Sequence, residues 1–256
     1  PPPSLLRVPM LQHLGAPAKP TVKKGDEVKR GQLIGEPGGF ISAAVHAPTS
    51  GKVKTVGDVE TAAGMQVPGV EIEADGEDAW DANMTPHPDW ESLDPKKLLS
   101  LVADAGIVGM GGAGFPTHVK LSPPPGKEID TLIINGAECE PYLTADHRLM
   151  LERADDIWTG IRILQRILGV KTVRFAIESN KPNAIETVSK AVTADGGDVK
   201  VAVLETEYPQ GAEKQQIFSI TGKEVPRAGC PWTSARWSRT SARCWPCGTP
   251  WSTAAP

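Results

Sequence analysis

The chain is 256 residues long, enough for one or two domains with a packed core. It is 39% hydrophobic and 23% charged with a formal net charge of −4 and no basic run, which excludes a nucleic-acid partner from the reading. No apolar stretch approaches the roughly 20 residues of a membrane span and no signal-peptide pattern is present, so membrane association is expected to run through partners.

The chain opens PPPSLL without a methionine, and its true start is expected upstream. Residues 22–56, VKKGDEVKRGQLIGEPGGFISAAVHAPTSGKVKTV, carry turn signals at Lys24-Gly25-Asp26, Arg30-Gly31 and Ser50-Gly51, with β-rich pieces between them. The pattern "V..GD.V..G..L" followed by "V.AP.SG.V" resembles the barrel-sandwich fold of biotinyl and lipoyl carrier domains. Those carriers bear their cofactor on a hairpin lysine; here the corresponding stretch, GGFISAAVHAP, has none. A small docking module over residues 1–75 is therefore expected, with His46 as a strand residue.

Residues 76–93 are polar and carry Pro86 and Pro88, as a linker would. A helix follows: Asp94 suits the N-cap, Pro95 the first helical position, and Leu98, Leu99, Leu101, Val102 and Ala105 make an apolar face ending at Gly106. Further on, a buried strand is expected at 131–134 and helices at 145–151 and 154–168. The second helix has Ile157, Trp158, Ile161, Leu164 and Leu168 on one stripe and stops at Gly169. A strand at 173–177, a helix at 182–192, a strand at 199–204 and a helix at 213–220 complete the series. Alternating strands and helices over 94–226 predict an α/β domain with a largely parallel sheet.

Between the first helix and the first of these strands lies GMGGAGFPTHVKL, 109–121. Gly109, Gly111 and Gly114 match the dinucleotide fingerprint GxGxxG, but its context fails. The fingerprint needs a strand before the glycines and a helix directly after them, whereas here a helix precedes and Pro116 disfavours a helical Phe115. A Walker loop fails as well, because no Gly-Lys-Ser/Thr follows. Four glycines (109, 111, 112 and 114) still carry an entropy cost that close approach of backbone to a flat or phosphorylated ligand would explain. Lys120 could offer the complementary charge. The strand at 131–134 then runs into Asn135-Gly136-Ala137-Glu138-Cys139-Glu140-Pro141, and in open α/β sheets ligands collect beyond the carboxyl ends of strands. An amide and two carboxylates emerging there can hydrogen-bond a ribose, a ring nitrogen or a carboxamide. Cys139 has no second cysteine or histidine pair at metal spacing, so no metal site is expected.

GMGGAGFPTHVKL, IDTLIINGAECEPYLTADHRLMLE, YPQGAEKQ and TGKEVP resemble, in order over residues 20–226, the RnfC family of membrane-bound, ion-pumping ferredoxin:NAD oxidoreductases. The first two are also similar to the flavin subunit of respiratory complex I. The resemblance implies a barrel-sandwich β module followed by a modified Rossmann-like domain that binds FMN and NAD(H). It places Gly109, Gly111, Gly112, Gly114 and Phe115 along the pocket and Lys120 on the flavin. Asn135, Glu138 and Glu140 would act as polar holders, and Tyr208, Gly211 and Glu213 as a further wall. It implies electron transfer from NAD(H) through FMN to iron–sulfur carriers, with two 4Fe–4S clusters in the intact family. The partners would be the membrane subunits of the Rnf complex and ferredoxin-type carriers, with the protein peripheral at the cytoplasmic face of the bacterial inner membrane. A flavin/cobalamin reductase of bacterial microcompartments, the scaffold-like subunit of the sodium-pumping quinone reductase and a non-catalytic docking protein are the alternatives.

Residues 227–256 depart from that family. RAGCPWTSARWSRTSARCWPCGTPWSTAAP holds four of the seven tryptophans, three of the four cysteines and four arginines, with no Asp, Glu or Lys and no helix or strand period. GC-rich codons for residues 230–241, read one base out of phase, can spell Leu-Pro-Val-Asp-Val-Gly-Ala-Val-Val-Gln-Asn-Val, the segment the family has there. A frame shift near Arg227–Gly229 is therefore expected. The cluster ligands are missing from this chain, and Cys244-x-x-Cys247 is expected to bind nothing on its own.

Overall fold

The computed structural model describes residues 3–84, 86–109, 114–126, 128–193 and 198–225, and the backbone of 236–240. The chain divides into two compact units, residues 1–88 with 99–120 and residues 89–98 with 121–256.

The first unit is a pair of small sheets. One has the order β1-β7-β6-β3, from Leu5–Pro9 (β1), Glu27–Val28 (β3), Gly51–Glu60 (β6) and Gln66–Ala74 (β7); the other runs β2-β4-β5, from Lys19–Pro20 (β2), Leu33–Glu36 (β4) and Val45–His46 (β5). All pairings are antiparallel, and β6 carries a register shift between Val53 and Thr55. Inward positions of both sheets meet in one core that includes Val8, Met10, Ile34, Val53, Val70 and Ile72. The lysine-free turn is pinned rather than presented: Ser42, fully buried, accepts from the Gly38 amide at 2.9 Å and donates to the Ala16 carbonyl at 2.8 Å. β1 and β7 lie outside the stretch whose turns were legible, because β7 is interrupted by Pro68 and Gly69.

Part of the expected linker is structured. The Arg30 guanidinium lies 4.3 Å from the centre of the Trp80 ring and 2.6 Å from Asp78, fastening residues 78–80 to the first unit. Trp90, in a short 3-10 turn (Trp90–Ser92), is buried with Leu98 and Ile163 in the second unit.

Helix α1, Pro95–Asp104, begins as its sequence predicts, with the Asp94 carboxylate accepting from the Lys96 amide at 2.8 Å. Its end supplies the Asp104 carbonyl to the ring of His46 in the first unit. Burial holds His46 and His118 below the ordinary histidine range, and the Asp104 charge opposes this at both. The unfolded chain therefore binds more protons than the folded one just below the free-histidine pKa of about 6.5. The stability these rings contribute is complete above that pH and is lost as pH falls toward their depressed folded values. Thermal or urea melts are expected to show stability falling between pH 7 and 5, by up to about 1.4 kcal/mol per pH unit for each ring. His46→Gln should flatten that slope, and an unchanged slope would remove His46 from the explanation.

The second unit is the expected α/β layer, a parallel sheet ordered β10-β9-β8-β11. Its strands are Thr131–Asn135 (β8), Thr172–Glu178 (β9), Val199–Leu204 (β10) and Arg236–Thr240 (β11). Every pair is parallel. β8 is buried at all five residues, as a central parallel strand must be. Around the sheet stand α3 (Ala145–Glu152), α4 (Ala154–Leu168), α5 (Pro182–Thr193) and α6 (Glu213–Thr221). In α4 the expected stripe holds Ile161 and Leu164 in the core, but Ile163 is also buried, against Trp90, so this helix covers two faces. The α4 helix stops at Gly169, in the left-handed region at φ 67°. β11 is the departure: the tail shows no strand period, yet its backbone extends the sheet beside β8, Arg236 opposite Thr131 and Thr240 opposite Asn135. Cys230, Cys244 and Cys247 lie outside the described residues.

Candidate functional site

At the carboxyl end of β8 the chain turns through Asn135-Gly136-Ala137. The Asn135 side chain donates to the Gly211 carbonyl at 2.8 Å and accepts from the Ala137 amide at 3.1 Å and from the Gln216 side-chain amide. Buried to 3% exposure, it ties this turn to the start of α6. Gly136 permits the crossing over β9: a Cβ there would stand 2.8 Å from the Ala176 carbonyl oxygen and from the Phe175 ring. Gly211 in turn donates its amide to the Cys139 sulfur at 3.4 Å.

The next residue in the motif, Glu138, is buried, and its two carboxylate oxygens accept from the backbone amides of Asp146 at 3.0 Å and His147 at 3.3 Å. Thr144, at the N-cap of α3, makes no side-chain cap bond, so Glu138 caps the helix from six residues upstream. The Glu138 amide donates to Glu178 Oε2 at 3.0 Å. Glu178, the last residue of β9 and fully buried, also takes the Lys181 ammonium at 2.9 Å on that same oxygen. Its other oxygen, Oε1, is buried with no partner.

These groups wall a cavity of about 440 Å³ beyond the carboxyl ends of β8 and β9. Glu138, Glu140 and Tyr208 are among its lining residues, together with Tyr142, Glu178, Lys181 and Thr206. Glu140 is exposed, so of the two carboxylates in the motif one is committed to a helix end and the other faces solvent. Both tyrosines of the chain stand on this cavity, at 101% and 76% exposure. Tyr142 sits at φ 66°, a costly conformation for a bulky residue. The motif reading missed Glu178, Lys181 and Tyr142. Glu178 was within reach of the rule that pointed to Asn135, since it ends the neighbouring parallel strand.

The glycine loop belongs to the first unit. Its neck is closed by the Gly109 amide on the Phe115 carbonyl at 2.9 Å and by the Thr117 amide on the Ile107 carbonyl at 2.9 Å. Gly114, at φ 62°, accepts from the Leu14 amide at 3.2 Å through its carbonyl, and a Cβ there would lie 3.1 Å from the Gln12 carbonyl oxygen. Directly after Pro116 comes a single helical turn, α2 (Thr117–Lys120), which ends on Lys120. Gly111 and Gly112 lie outside the described residues. Glu213 opens α6 in the second unit.

Residues 1–77 match the RnfC barrel sandwich hybrid domain, and residues 102–237 match the Nuo51 FMN-binding domain. The chain belongs to the Nuo51 FMN-binding family, in its RnfC branch. It is 49% identical over 229 residues to the corresponding subunit of the proton-translocating ferredoxin:NAD(+) oxidoreductase complex of Clostridium ljungdahlii, covering 90% of this chain and 50% of that one. It is 51% identical over 228 residues to its counterpart in the ion-translocating oxidoreductase complex of Rhodobacter capsulatus, covering 88% and 44%. This RnfC-type chain thus spans about half the length of the curated relatives it matches. A solved NAD+-reducing [NiFe]-hydrogenase shares the fold, at a TM-score of 0.51 and 23% identity over 60% of this chain and 30% of that chain. The expected fold class, a barrel-sandwich module followed by a Rossmann-like FMN-binding domain, is the one found.

Proposed function

We propose that this chain is the FMN- and NAD(H)-binding part of an RnfC-type protein, which passes electrons between NAD(H) and iron–sulfur carriers within a membrane-bound, ion-pumping complex. The observation that carries the reading is the cavity at the carboxyl edge of a parallel sheet, in a domain of the FMN-binding family. The residues fit such a ligand. A volume of about 440 Å³ is in the range of small-molecule pockets, and the buried Glu178 Oε1 has an acceptor position left to fill.

Glu140 and Tyr208 would hold the ligand from the rim, and Asn135 and Gly211 would fix the wall behind them. Gly109, Gly111, Gly112, Gly114 and Phe115 would supply close backbone approach, with Lys120 as their cation, and Glu213 would support the YPQGAE wall. FMN, when bound, supplies the exchange between a two-electron nicotinamide and one-electron carriers. The protein's share is to orient the ring through a prefixed polar lattice and to keep that lattice from relaxing.

Membrane subunits of the Rnf complex and ferredoxin-type carriers would be the partners, with the chain peripheral at the cytoplasmic face. No helix among the described residues is long and apolar enough to cross a membrane. The 4Fe–4S clusters would be held outside this chain.

Titrating the purified chain with FMN and then adding NADH without oxygen tests the proposal. Bound-flavin absorbance near 450 nm should appear and then bleach (~450 nm being the usual flavin band). Glu140→Ala should weaken uptake about tenfold while leaving the melting temperature in place. Failure of a folded chain to take up flavin would favour the docking-protein reading instead.

A further inference from the structure

The cavity floor holds an arrangement that the motif residues do not account for. Glu178 is 0% exposed, and one carboxylate oxygen takes both of its hydrogen bonds while the other takes none. An ionised oxygen left bare in the interior is costly, and such a group calls for a donor from outside the chain. Beside it, the Lys181 ammonium meets Glu178 Oε2 at 2.9 Å and Asn180 Oδ1 at 3.4 Å, which leaves one of its three N–H groups to give. Acceptor and donor therefore stand side by side on the two members of one ion pair.

The charge around them selects the kind of ligand. Glu138, Glu140, Glu178 and Glu207 line the cavity against Lys181 and His147. Lys181 is already neutralised by Glu178, so a phosphate would meet net negative potential and a bare carboxylate oxygen. A neutral group bearing an N–H is favoured. At the mouth, Tyr142 and Tyr208 leave aromatic faces open to a flat ring.

We infer that this floor is a subsite for the amide edge of a planar heterocycle, an N–H beside a C=O, with Glu178 Oε1 accepting the N–H and Lys181 Nζ donating to the C=O. The inference deepens the proposed function, on which its biological meaning rests. It assigns the ring end of a nucleotide cofactor, rather than its phosphate end, to this cavity. A nicotinamide carboxamide and a flavin imide both present that edge.

Ring fragments test the subsite without relying on cofactor uptake. Binding of nicotinamide and of lumichrome, a flavin ring without its side chain, is compared by ligand-observed NMR with that of N,N-dimethylnicotinamide and 3-methyl-lumichrome, which lack the N–H. At least one parent is expected to bind about tenfold more tightly than its methylated form, and the pair that does so identifies the source. Glu178→Gln should erase the difference, and Lys181→Met should weaken the parent about as much as methylation does. Tyr142→Phe should bind like the parent chain and Tyr142→Ala more weakly. If parent and methylated fragments bind alike, or neither binds to the folded chain, the subsite is overturned, whatever FMN does. If the fragments discriminate while FMN and NADH are not taken up, the subsite stands and the electron-transfer reading falls.

Discussion

Glu138→Ala is expected to destabilise the second unit by about 3–5 kcal/mol, a loss that urea denaturation of the full chain would measure. The side chain is 5% exposed and is the acceptor for two backbone amides in the first turn of α3. Hydrogen bonds to a charged group contribute about 1.5–3 kcal/mol each, and their removal here leaves two N–H groups without a partner. Thr144 cannot replace it, because its side chain makes no cap bond. Glu138→Gln keeps one oxygen acceptor and should cost about half as much. Glu140→Ala, two residues on and exposed, should cost under about 0.5 kcal/mol. Equal effects at 138 and 140 would mean that Glu138 is not the cap of α3.

That contrast marks how far the sequence could be read. The periodicities of the second unit were legible because its strands are short apolar runs and its helices carry one strong stripe each. All of 131–135 and most of 172–178 are buried on both faces, which leaves a plain signal. The NGAECEP motif pointed to the correct end of the sheet for the same topological reason. What the motif could not disclose is which acid faces outward, since that depends on α3 having no cap of its own. Glu178 and Lys181 escaped because a buried pair at i and i+3 looks, in sequence, like any solvated pair. Its burial comes from β8 and α3 closing over it, contacts 40 residues apart in the chain. In the first unit, the turns were legible from glycine, but β7 was not, because Pro68 and Gly69 break its pattern while the long pairing with β6 holds it in the sheet.

The largest gain in stability is expected from restoring the reading frame after residues 227–229. β11 pairs along its whole length with β8, a strand buried at every residue. A strand in that position normally reads as an apolar run, and Arg-Trp-Ser-Arg-Thr does not. The shifted frame places Ala-Val-Val-Gln-Asn at 236–240. Two valines in a parallel sheet contribute about 1.5–3 kcal/mol each when buried, so the corrected chain should be more stable by about 3–5 kcal/mol in urea. The register adds a functional consequence. Position 240 pairs with Asn135, so the shifted frame sets a second asparagine at the carboxyl edge of the sheet, level with the first. Flavin affinity should then rise by at least tenfold, read by quenching of free-FMN fluorescence. Sequencing the gene comes first: it must show an adjacent frame that encodes Leu-Pro-Val-Asp-Val-Gly-Ala-Val-Val-Gln-Asn-Val. Without such a frame the explanation of the tail is wrong. With the frame present but no gain in stability, the strand beside β8 does not depend on apolar side chains, and the parallel-sheet argument fails at that edge.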